Sequence, residues 1–135
     1  MGKFRVPSEK SKYYLPKEDY LTAVHYALRY PLWLEELRVT ADTGKGIRYD
    51  KLKVQTSIIG TEVEDVAIRR AELSQKKEMV DEIINEVSRG MDDYIRMAVC
   101  FGFSYDQLHF KGMPCGRNMY LSIRQRFYFE LSKKI

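Results

Sequence analysis

Cysteine is scarce, with Cys100 and Cys115 the only two in 135 residues. One pair cannot make a disulfide framework, so nothing of that class is expected. Structural zinc takes four ligands, commonly with a tight pair. Cys100, His109 and Cys115 make three without one, so no metal is expected and the thiols read as buried apolar groups. No apolar run approaches the roughly 18 residues that cross a bilayer. The opening Met1-Gly2-Lys3-Phe4-Arg5-Val6-Pro7 lacks the apolar stretch of a secretory signal and the Ser or Thr of a myristoylation signal. A cytoplasmic protein without a membrane partner is the expectation.

Signals for catalysis are equally thin. His25 and His109 sit on apolar patterns, no Ser or Cys lies in a nucleophile motif, and Gly44-x-Gly46 follows no strand that would make it a phosphate loop. Asp92-Asp93 reads as a helix start rather than an acid/base pair. Neither a catalytic residue nor a cofactor is expected, and the chain does not read as an enzyme.

Apolar side chains are plentiful. Hydrophobic residues make up 44% of the chain and aromatics 13%, enough for a core in a protein of single-domain size. The net charge of +4 conceals a segregation. Residues 1–60 hold eleven Lys/Arg against seven Asp/Glu, 61–100 hold six against ten, and 101–135 hold six against two. Two basic segments flank an acidic one, which points to a polyanionic partner better than the total does.

Residues 1–15 have no periodicity and read as an arm. Pro16 opens a helix with Glu18 and Asp19 in its first turn, and Tyr20, Val24, Ala27 and Leu28 recur at helical spacing. Pro31 ends it, and Pro31–Leu37 restarts a shorter helix, giving an N-terminal helical hairpin over 16–43. Gly44, Gly46 and Gly60, with Lys45, Arg48, Lys51 and Lys53, mark a linker over 44–60. Thr61, with Glu64 three residues on, is a capping box that starts the next helix. Val66, Leu73, Val80 and Val87 repeat there at seven, Ser74-Gln75 is a candidate division, and Gly90 a stop. Asp92–Phe101 is a helix ended by Gly102, Ser104 caps a brief turn, and Gly112–Gly116 is a tight turn. A final helix runs from Arg117 to Lys133. The class is all-α, and 61–135 is expected to fold as a unit by itself.

A helix, a short helix, a turn and a longer basic helix is the order of a helix-turn-helix unit, whose last helix enters the major groove. Tyr120, Ile123, Phe127 and Leu131 make one side of the last helix, expected to pack on Tyr94, Val99 and Phe101. The other side carries Arg117, Asn118, Leu121, Ser122, Arg124 and Gln125, flanked by Arg126 and Lys133. Arg pairs with guanine, Asn and Gln with adenine, Leu with a thymine methyl, and Lys neutralises phosphate. A solvated face is the alternative reading. Against it, surface helices interleave signs, whereas Glu130 is the one acid in this helix.

The stretch Met113-Pro114-Cys115-Gly116-Arg117-Asn118-Met119-Tyr120, running into Arg124-Gln125-Arg126-Phe127-Tyr128-Phe129-Glu130-Leu131, resembles the C-terminal end of the RinA-type and ArpU-type phage transcriptional activators. Tyr30–Leu37 and the capped segment at Thr61 resemble the earlier parts of that family. The resemblance implies a helix-turn-helix similar to region 4 of a sigma factor, double-stranded DNA as partner, and activation of late genes in a bacterial host. Dimerisation or contact with RNA polymerase is then expected of the hairpin, with Trp33, Leu34 and Leu37 as the surface. A phage small terminase subunit and a phage inhibitor of a host protein are the alternatives.

Overall fold

The computed structural model of the chain describes the backbone of residues 13–46 and 56–135 and the side chains of 13–41 and 64–135. The described residues form six helices and no strand: α1 Lys17–Ala27, α2 Tyr30–Gly46, α3 Thr56–Val87, α4 Asp92–Phe101, α5 Tyr105–Phe110 and α6 Arg117–Lys134. The protein is all-α. No helix among the described residues is long and apolar enough to cross a membrane. Residues 1–12 of the expected arm over 1–15, and Arg48, Lys51 and Lys53 of the expected linker, lie outside the described residues.

The chain divides into two compact units, Met1–Tyr30 with Met79–Ile135, and Pro31–Glu78. That division differs from the expected boundary near residue 60. It follows from a long-range contact with no local signature: α1 packs against α6 and α4, and so belongs with the C-terminal helices. The expected seat of α6 was therefore incomplete. Val99 is buried, but Phe101 is 43% exposed and Tyr94 reaches only the Lys111 carbonyl, at 3.5 Å. A ring of α1 does meet α6: Tyr20 stands edge-on to Tyr128 at 5.2 Å.

Local chemistry sets most helix ends. Pro16 stands just before α1, and its carbonyl accepts the first helical bond from Tyr20 N–H at 2.9 Å. Pro31 is the second residue of α2, where the missing N–H costs nothing. The expected linker is shorter than glycine content suggested. Gly44 falls inside α2, Gly46 is its last residue, and Gly60 falls inside α3, so Thr61 is not the start of its helix. Glycine lowers helix stability by only about 1 kcal/mol, too little to stop a helix this long. α3 also continues through Ser74-Gln75 without a division.

In the unit Pro31–Glu78, arginines of α3 tie to α2. Arg69 donates twice to the Glu36 carboxylate, at 3.1 and 3.2 Å, and Arg70 donates to the Leu37 carbonyl and the Thr40 hydroxyl. The Arg69–Glu36 pair is exposed on both sides, so solvent screens it and it adds little to stability. Trp33, expected on a free apolar surface, is only 5% exposed, with Leu34 and Leu37 half-buried. Leu32, Val39 and Ile68 are exposed large apolar side chains there.

In the other unit, Val80, Ile83, Ile84 and Val87 of α3 are buried with Ile95 and Val99 of α4 and Ile123, Phe127 and Leu131 of α6. Of the seven-residue repeat in the sequence, Leu73, Val80 and Val87 are buried and Val66 is half-buried. At the unit's edge Asp81 accepts hydrogen bonds from the Tyr30 hydroxyl at 2.8 Å and from Arg96 Nε at 3.1 Å. Burial first, and this bond second, push the Tyr30 phenol well above its ordinary range. Cys100 and Cys115 are buried free thiols, and burial pushes Cys100 up to about 12.

The three C-terminal helices follow their sequence signals closely. Asp92 and Asp93 occupy the first turn of α4, and Gly102 ends it at φ 75°, a conformation that an L side chain resists. Ser104 caps α5 through a reciprocal box: its Oγ accepts from Gln107 N–H at 3.3 Å, and Gln107 Oε1 accepts from Ser104 N–H at 2.9 Å. Ser104→Ala is expected to cost about 0.5–2 kcal/mol in urea unfolding. Gln107→Ala removes the reciprocal bond of the same box and should destabilise as well. Equal stability of Ser104→Ala and wild type would show that the box does not hold α5.

Candidate nucleic-acid interface

The turn between α5 and α6 is pinned from both sides. Met113 N–H donates to the Leu108 carbonyl at 3.1 Å, and the Tyr105 hydroxyl donates to the Cys115 carbonyl at 3.1 Å. Gly112 adopts φ 104°, so this turn requires glycine. Buried Leu108, Met113 and Cys115 seat the segment. α6 therefore starts from a fixed point at Gly116, with no side chain capping its first N–H groups.

Arg117, Asn118 and Ser122 are exposed on the first two turns of α6, with Met119 beside them. Arg126 and Leu121 are half-buried at the borders of this face. Arg117 lies over the Tyr105 ring, 4.9 Å from its centroid, and donates to Asp106 at 3.3 Å. Both charged groups of that pair are largely exposed, so the guanidinium is released at little cost. Sequence reasoning missed Tyr105 and Asp106 as the partners that pre-orient Arg117. Their positions on α5 carried no sign of that role without the geometry of the turn.

Three expected contact residues stand apart from this group. Lys133 lies over the Phe129 ring at 4.3 Å and within 3.9 Å of Glu130, near the far end of the helix. Gln125 is half-buried. Between them, the Tyr13 ring meets Phe129 at 5.6 Å, so chain N-terminal to α1 already covers part of the second half of the helix.

Arg124 departs furthest from expectation. It stands one turn from both Tyr120 and Tyr128, on the buried stripe rather than on the open face. Its guanidinium lies 5.8 Å from the Tyr128 ring centroid, and its Nε is buried with no hydrogen-bond partner. Burial works against its charge, but the neighbouring Tyr128, Tyr120 and Tyr20 phenols, Tyr128 through a side-chain hydrogen bond as well, outweigh that and raise its pKa. Burial in turn pushes the Tyr128 phenol up to about 12, against the opposing pull of Arg124. The spacing Tyr120-x3-Arg124-x3-Tyr128 was the signal that could have placed it.

No protein-family model, curated protein or solved structure matches the chain.

The open face of α6 adjoins α5 through the Arg117–Asp106 pair. Its rim carries one more feature absent from the sequence reading. Phe110, at the end of α5, is 94% exposed. With Phe103, Asp106, Gln107 and Lys111 it lines an open cleft of about 470 Å³. No group of three or more metal-ligating side chains occurs among the described residues.

Proposed function

We propose that the chain is a sequence-specific double-stranded DNA-binding transcriptional regulator, with α5 and α6 as its helix-turn-helix and α6 as the helix that enters the major groove. One observation carries this reading. The first turns of α6 expose Arg117, Asn118 and Ser122 together from a rigidly pinned turn, and five cations face a single acid along the helix. Main-chain N–H groups at Gly116 and beyond are uncapped by side chains and suit a phosphate. The likeness of 113–131 to the RinA-type and ArpU-type activators supports a phage late-gene regulator acting in the bacterial cytoplasm, with no catalytic step of its own.

In this reading Arg117 takes a guanine edge, Asn118 an adenine edge, and Ser122 and Arg126 the flanking phosphates. Arg117→Ala is expected to weaken specific binding by about 1–3 kcal/mol while leaving the fold intact. Asp106→Ala should not weaken binding, since it removes a carboxylate that competes with DNA for the same guanidinium. Gel shifts and circular dichroism on the same preparations decide. Undiminished binding by Arg117→Ala means that α6 does not read the groove.

One short helix-turn-helix covers too little DNA for regulatory affinity, so a homodimer or a second protein contact completes the reading. Phe110 and its cleft favour a protein surface, and RNA polymerase is the partner that this role supplies. A polymerase complex that persists at salt sufficient to release the duplex selects that contact.

A further inference from the structure

Arg117 is a long, exposed side chain, and in water such a side chain visits many rotamers. Here its guanidinium rests over the Tyr105 ring, 4.9 Å from the centroid. Tyr105 is half-buried and is itself fixed on several sides. Its hydroxyl donates to the Cys115 carbonyl at 3.1 Å, and its ring meets Tyr120 at 5.3 Å and His109 at 5.7 Å. Tyr120 is buried. The platform beneath Arg117 is therefore tied to the core through an aromatic contact and to the turn through a hydrogen bond.

Two partners hold Arg117, and they act on it differently. Asp106 accepts from Nη2 at 3.3 Å and so takes a donor that a base edge would need. A ring attracts the cation electrostatically and needs no donor from it. The bidentate grip on guanine O6 and N7 requires two donors presented together in one plane. An arginine free to swing can reach a phosphate instead, a contact that carries no sequence. A platform that holds the guanidinium at the start of α6 thus favours the base over the backbone. Ordering the side chain beforehand also reduces the entropy lost on binding.

We infer that Tyr105 is a specificity-determining positioning residue, which acts through Arg117 by holding it in the pose that reads guanine. The inference rests on the duplex-reading role proposed for α6. It sets Tyr105 apart from its neighbours on α5: Asp106 competes for the guanidinium, and Gln107 serves the cap.

The test compares wild type, Tyr105→Phe and Tyr105→Leu on two duplexes that differ only at the guanine selected by the full chain. Tyr105→Phe keeps the ring and loses the bond to Cys115, and its preference for guanine is expected to stay within about twofold of wild type. Tyr105→Leu removes the ring, and the preference is expected to fall about fivefold or more, toward that of Arg117→Ala. Affinity for a duplex lacking the selected sequence should be the same in every case, whereas a general loss of structure would lower it. In the free full chain, Asp106→Ala leaves the ring as the restraint on Arg117. Nitrogen relaxation of the Arg117 Nε–H is then expected to show a more ordered side chain than that of the exposed Arg89. That measurement stands even if Tyr105→Leu unfolds. Preference lost equally in Tyr105→Phe and Tyr105→Leu would assign the effect to the turn hydrogen bond and overturn the proposal. Full preference in Tyr105→Leu, or an Arg117 as disordered as Arg89, would overturn it too. A wild type with no guanine preference, but with Arg117 ordered over the ring, would defeat the duplex-reading role rather than the positioning by Tyr105.

Discussion

Phe127→Ala is expected to destabilise the protein by about 3–5 kcal/mol, the largest effect of any single substitution considered. Phe127 has no exposed surface, and its ring meets Tyr128 at 5.3 Å in the middle of the buried stripe of α6. Truncation leaves a cavity that packed neighbours on several helices cannot close. Native domains are stable by only about 5–15 kcal/mol, so the loss takes a large share of the whole. Leu121→Ala is the control, because Leu121 is half-buried on the same helix and should cost much less. Urea unfolding of both, with equal slopes, is the measurement. Equal midpoints for the two variants would mean that α6 is rotated from the orientation described.

The second large effect concerns α1. Removing residues 1–28 is expected to abolish cooperative unfolding of the C-terminal helices at 25 °C. Tyr20 and Val24 are buried in the body of that unit, and burying each side chain contributes about 1.5–3 kcal/mol. Their removal also exposes the faces of Tyr128 and its neighbours that α1 covers. The same reasoning reverses the expectation that 61–135 folds alone: that fragment lacks the helix on which α6 is seated. Thermal melts followed by circular dichroism distinguish the outcomes. A sharp transition in the truncated chain, near that of the full one, would show that α1 is dispensable.

How much was readable in advance depended on whether the cause was local. Gly102, the Ser104–Gln107 pair and Gly116 act within one or two turns, so the ends of α4, α5 and α6 were visible from residue types alone. The buried set Tyr120, Ile123, Phe127 and Leu131 was visible because a helix repeats every 3.6 residues. The seat of α6 on α1 was not, since it joins residues about a hundred positions apart and neither helix announces its partner. Glycine misled for the opposite reason. Gly44 and Gly60 carry a real local penalty that the helices around them outweigh. Arg124 was assigned by residue type to the open face, whereas its position between Tyr120 and Tyr128 places it on the closed one.

The exposed pair Arg117 and Asn118 carries the functional account, and selection from a pool of randomised duplexes with the full chain tests it most directly. The account predicts that one sequence is enriched, with a guanine and an adenine whose replacement costs about 1–3 kcal/mol each. It also predicts that affinity for that duplex falls at least about tenfold between about 50 mM and about 200 mM salt. Arg117→Ala should lose the preference for the guanine alone. Enrichment of no sequence, or binding that ignores both salt and Arg117, would contradict the assignment of α6 as a DNA-reading helix.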